Sequence, residues 1–180
     1  MTKLIVIATL MAGAAASNAT APKPVDATWL APAGPVSLCD LSADARPFVE
    51  TLWRAKAGSR AVTVAGGVRA IVARRVKPLG DGGKETTVRA TPVLPITWRD
   101  LPVTSYEDIA VSIPESHGPT TRRMALGVPL AALQAELARL GRDAPVAPAR
   151  AVVDDVGAHG VSVWLEPVVG GSAMVCQTND

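Results

Sequence analysis

The stretch AVTVAGGVRAIVARRVKPLGDGGKETTVRATPVLPITW, residues 61–98, decides how the chain is read. In its first half Val62, Val64, Val68, Ala70, Val72 and Val76 hold even positions, while Thr63, Arg69, Arg75 and Lys77 hold odd ones; Ile71 and Ala73 depart from the rule. Successive side chains of a strand point to opposite faces, so alternating branched apolar and polar residues predict a half-buried strand. The second half keeps the same parity, with Val88, Ala90, Leu94, Ile96 and Trp98 even and Thr87, Arg89, Thr91 and Thr97 odd. Gly80, Asp81, Gly82 and Gly83 separate the halves and have the composition of a turn. The reading is one long β-hairpin whose two arms bury a common face. Gly66 and Gly67 interrupt the first arm and predict a bulge or kink. Pro92 and Pro95 donate no ladder hydrogen bond, so the second arm is expected to be an edge strand or to break near Thr91.

A chain of 180 residues with 48% hydrophobic and 19% charged content belongs to the globular class and has the length of one domain. One Phe, one Tyr and four Trp leave its core to be built mainly from Val, Leu, Ile and Ala. Residues 1–19 read as a cleavable export leader: Lys3 supplies a positive start, residues 4–16 are uncharged and largely apolar, and Ser17, Asn18 and Ala19 place small residues at the cleavage point. That apolar run is too short to span a bilayer core of about 30 Å. The expected organisation is a signal peptide over 1–19, a Pro-rich extended tail over 20–36 and a single α+β domain over 37–180. In an oxidising compartment a lone cysteine pair reads as a disulfide, so Cys39 and Cys176 are expected to close the domain. In the chain-entropy model so long a loop contributes about 5 kcal/mol.

Two helices are expected. Over residues 44–58, Asp44 is an N-cap, Pro47 falls in the first turn, Phe48, Val49, Leu52 and Trp53 form one stripe, and Gly58 is the stop. Over residues 129–140, Pro129 suits the first helical position, Leu130, Leu133, Leu137 and Leu140 share a face, and Gly141 follows. Residues 106–113, 121–126, 151–153, 161–165 and 173–176 read as short strands, and residues 115–121 as a polar loop. The fold class expected is α+β: a mostly antiparallel sheet of about five strands, built on the long hairpin and covered by two helices.

Motifs of catalysis are absent from the sequence: it contains no G-x-S-x-G, H-E-x-x-H, C-x-x-C or G-x-G-x-x-G. The Gly80–Gly83 turn departs from a phosphate loop, because Pro78 stands where the first glycine belongs and Glu85 replaces the Ser/Thr that binds magnesium. His159 lies close in sequence to Asp154 and Asp155, with Ser162 and Ser172 nearby, which makes it the candidate for general-base chemistry in a small hydrolase. His117 sits apart in a Gly/Pro loop, and the histidines and carboxylates show no metal-ligand spacing, so no metal and no cofactor are expected. Charge is distributed unevenly: residues 46–89 hold ten Lys/Arg against three Asp/Glu, and residues 99–180 hold six against ten. Arg69, Arg75, Lys77 and Arg89 would share the polar hairpin face and form the candidate ligand-binding surface for an anion. No aromatic residues interleave these cations, which argues against nucleic acid. The function expected is that of an exported, bacterial-type envelope protein, periplasmic or secreted, acting as a noncatalytic binding module toward an envelope protein or an anionic surface. The alternatives are the His159 hydrolase and a structural or inhibitory protein working through its tail or a loop.

Overall fold

The computed structural model describes residues 22–58, 60–156 and 159–179; the leader read at residues 1–19 lies outside them. The hairpin forms where alternation places it. Strands β3 (Arg69–Pro78) and β4 (Lys84–Pro92) pair antiparallel around a turn at Gly80–Gly82, with Val72 opposite Ala90 and Lys77 opposite Glu85. At Gly66 and Gly67, where a kink was expected, the chain reverses. Both glycines have left-handed backbone, φ 74° and 72°, and β2 (Ala61–Thr63) folds back antiparallel on the start of β3. A Cβ on Gly66 would meet the Trp29 ring at 2.3 Å, so glycine is required there twice over. Strand β4 is interior rather than an edge, lying between β3 and β6 (Leu101–Ile113), and it ends at Pro92.

The expectation of about five strands under two helices is overturned: among the described residues the sheet has ten strands, and three short helices accompany it. Its main path runs β2-β3-β4-β6-β7-β10-β9-β8, where β7 is Ser116–Leu126, β8 Ala151–Val156, β9 His159–Val168 and β10 Gly171–Asn179. Off this path β5 (Ile96–Trp98) pairs with β6, and β1 (Val25–Asp26) adds to β5 in parallel. Ladder hydrogen bonding carries the strands through residues of poor strand propensity. The stretch read as a polar loop before Thr121 belongs to β7, and a register shift between Ala110 and Ser112 absorbs Gly118 and Pro119. The proline-containing residues 22–35 are built into the domain, with Ala27, Leu30 and Ala31 buried and the Trp98 indole N–H donating to the Ala31 carbonyl over 2.8 Å.

The strand register sorts side chains into rows across the sheet. Val72, Ala90, Tyr106, Met124, Met174 and Leu165 form one inner row, all buried. Helices α1 (Val36–Cys39), α2 (Ala45–Arg54) and α3 (Leu130–Arg139) lie over this face. Phe48 of α2 packs edge-on against Tyr106 at 5.3 Å, and Leu133 and Leu137 of α3 are sealed in the same core. The next inner row reads Val88, Asp108, Arg122, Cys176 and Val163, and so carries two charges into the core. Asp108 is 2% exposed; it accepts a 2.9 Å hydrogen bond from the Trp53 indole N–H and faces the Arg122 guanidinium at 3.6 Å. Arg122 also donates to the carbonyls of Leu38 and Cys39, at 3.1 and 2.8 Å. The same residues anchor α1, because Cys39 is bonded to Cys176, which stands opposite Arg122 on β10.

Two outcomes follow from this row. The cysteines are 137 positions apart in sequence, so Cys39→Ala with Cys176→Ala should lower unfolding free energy in urea by about 2–5 kcal/mol while keeping the native far-UV spectrum, since Arg122 still holds α1. Burial raises the Asp108 carboxyl above its ordinary value of 3.8, against the pull of Arg122. A raised folded pKa contributes stability below the unfolded value that is lost as pH rises through the folded one. The stability of the wild type relative to Asp108→Asn, measured by urea titration, should therefore fall between pH 4 and pH 7; an increase over that window would contradict the assignment.

Candidate functional site

The outer face of the sheet carries the charge. Odd positions of β3, β4, β6 and β7 point away from the helices, and register aligns Ala73, Arg89, Glu107, Arg123, Val175 and Trp164 in one row. Within it the charges alternate. Glu107 lies 3.5 Å from Arg89 on one side and 3.2 Å from Arg123 on the other, and Arg123 reaches Glu166 on β9 at 2.8 Å. These pairs are partly shielded, with the Glu107 side chain 14% exposed, and they hold the guanidinium planes in fixed orientations.

Two adjoining depressions share this trio. One, of about 370 Å³, is lined by Arg74, Arg75, Thr87 and Ile109 together with Arg89, Glu107 and Arg123. The other, of about 230 Å³, continues from the trio over Thr104, Ser105 and Ala125 to Val168 and Val169. The floor of the second is tightly packed, since Ser105 and Ala125 are buried and Trp164, Ala173 and Val175 form a small apolar cluster beside them. Arg150 covers the Trp164 ring at 4.2 Å. Trp164 is 6% exposed and Trp98 is fully buried, so neither indole offers a face on which a sugar ring could stack.

The four cations read from the hairpin have distinct environments. Arg69, Arg75 and Lys77 are exposed on β3 and make no ion pair among the described residues, whereas Arg89 shares Glu107 with Arg123. Arg74, of opposite parity, instead donates to the Trp53 carbonyl and lies 5.9 Å from the Trp53 ring centroid, pinning the end of α2 to the hairpin. Sequence reasoning missed Glu107, Arg123 and Glu166. The first two stand at odd positions in segments that keep the parity of the hairpin, which is the signal that places them on its face.

The remaining candidates lie elsewhere in the sheet. Register places Val156 opposite His159 and Asp155 opposite Gly160 in the β8–β9 ladder, but the side chains of Asp154, Asp155 and His159 lie outside the described part of the chain. The Ser172 hydroxyl donates to the Val128 carbonyl over 2.9 Å, and His117 is exposed opposite Ser112. Among the described residues no three of His, Cys, Asp and Glu gather as metal ligands do, and no helix is long and apolar enough to cross a membrane.

A larger cleft, of about 600 Å³, opens where β1, the β5–β6 turn and the end of α3 meet. Arg99 and Asp100 form that turn with φ of 48° and 65°, a left-handed pair without glycine. Of its charged side chains, Asp26, Arg99 and Arg139 are engaged internally, while Lys23 and Asp100 make no ion pair among the described residues. Arg99 donates its backbone N–H to the Thr28 hydroxyl and a guanidinium N–H to Pro32, and Arg139 binds Glu136 through two contacts of 2.8 and 2.6 Å. The Thr28 hydroxyl and N–H donate to Asp26 and hold its carboxyl below the ordinary range. Arg69, Arg75 and Lys77 are among the described cations without an ion pair, and they share one exposed strand face. No protein-family model, no curated protein and no solved structure matches the chain.

Proposed function

We propose that the protein is an exported, noncatalytic binding module of the bacterial-type cell envelope that engages an anionic partner through the outer face of the β3–β4 hairpin. The observation that carries this reading is the placement of Arg69, Arg75 and Lys77, exposed and without an ion pair, beside Arg89 on a face that no helix covers, all among the described residues. A guanidinium offers planar, paired donors to carboxylate or phosphate, and Arg75 and Arg89 occupy diagonal positions across adjacent strands, within reach of one anionic group. Export is supported by the leader pattern of residues 1–19 and by the Cys39–Cys176 disulfide, which persists in an oxidising compartment.

Attraction between exposed charges is screened by salt, so retention of the protein on a carboxymethylated surface should weaken steeply between about 20 and about 300 mM NaCl. Arg69→Glu combined with Arg75→Glu should reduce low-salt binding at least tenfold, while the same reversal at Arg139, in the other cleft, should leave it within twofold. Retention that ignores both salt and the hairpin substitutions would remove the proposal.

A further inference from the structure

Resting on that reading, we infer that the partner is a linear anionic polysaccharide laid over the hairpin and along the joined depressions. Three features select this class. The first is the spread of the cations. Arg69, Arg75 and Lys77 lie along one face of β3, and at about 3.3 Å per residue the line from Arg69 to Lys77 is about 26 Å long. Arg89 lies one strand away and Arg123 two strands further, each step adding about 5 Å. A single small anion touches two of these groups at most; a chain of repeating anionic units touches all of them.

The second feature is the carboxylate embedded among the cations. Glu107 lines both depressions, flanked by the hydroxyl-bearing Thr87 on one side and Thr104 and Ser105 on the other. An ionised carboxylate accepts hydrogen bonds and donates none, so it favours a ligand that brings O–H or N–H groups and disfavours one made of acceptors alone, such as polyphosphate. A hydroxylated polyanion supplies both its charges to the arginines and its donors to Glu107.

The third feature is what the groove lacks. Folded protein partners are held by aromatic and apolar anchors in desolvated pockets. Trp164 is covered and Ile109 is half-buried; the exposed apolar side chains here, Ile71 on β3 and Val169 in the second depression, are aliphatic, and no aromatic anchor is presented among the described residues. A hydrated polymer bound by charge and hydrogen bonds needs no such anchor.

Titration of the disulfide-intact protein with polygalacturonate, monomeric galacturonate, dextran and poly-glutamate tests the inference, with calorimetry at low salt as the readout. Polygalacturonate is expected to bind at least tenfold more tightly than galacturonate at equal carboxylate concentration. Dextran should not bind, and Arg75→Gln and Lys77→Gln should each reduce the slope of log affinity against log salt. Equal affinity for monomer and polymer would overturn the polymer inference and leave the anion-binding reading standing. Poly-glutamate binding as tightly as polygalacturonate would overturn the saccharide assignment in favour of an acidic polypeptide. Failure of every polyanion to bind, with the carboxymethylated surface also unbound, would overturn both.

Discussion

An antiparallel ladder gives each strand only two directions for its side chains, and pairing residue to residue makes neighbouring strands share them. Nearly everything in this molecule follows from that constraint. Once Val72 stands opposite Ala90, the register carries the same choice to Tyr106, Met124, Met174 and Leu165, and one face of the sheet becomes a continuous apolar floor. The helices and residues 27–31 have that floor to pack on. The other face is left with whatever the alternate positions hold, and there the sequence supplies arginine, glutamate and threonine. The charged face is thus the complement of the core rather than a separately built surface.

The two charges of the inner face stand 3.6 Å apart and tie the layers together through their other contacts. Asp108 receives the Trp53 indole from α2, while Arg122 reaches the carbonyls that end α1. Buried ion pairs are costly to form and add little to stability on balance. Here the pair sets where α1 and α2 dock, and it does so next to the cross-link between α1 and β10. Charge pairing on the outer face serves a different purpose. Glu107 and Glu166 together balance the Arg89 and Arg123 charge, while Arg69, Arg75 and Lys77 on β3 make no ion pair among the described residues.

The local parts of this design were readable in the sequence, and the non-local parts were not. Alternation located β3 and β4, glycine composition located their turn, the Phe48 and Leu133 stripes located α2 and α3, and the isolated cysteine pair gave the disulfide. The strand count failed because ladder hydrogen bonds from partners far along the chain recruit residues with no strand signature of their own. Gly118 and Pro119 look like a loop until β6 lies beside them, and Val25–Asp26 becomes a strand only because β5 is there to pair with. Gly66 and Gly67 advertised a break, but whether the chain bends or reverses depends on Trp29 packing against them from a distant segment. Of the outer face, the hairpin cations were legible from parity alone; the Arg89–Glu107–Arg123 trio required knowing that β6 and β7 follow β4 in the sheet.

The proposed anionic partner has one place to sit, the outer face of the hairpin. Arginine-selective modification with butanedione, mapped by mass spectrometry with and without saturating polygalacturonate, tests this directly. The prediction is that Arg69, Arg75 and Arg89 react in the free protein and are protected in the complex, with Arg99 and Arg139 unchanged. Protection confined to Arg99 and Arg139, or none at the hairpin, would contradict it.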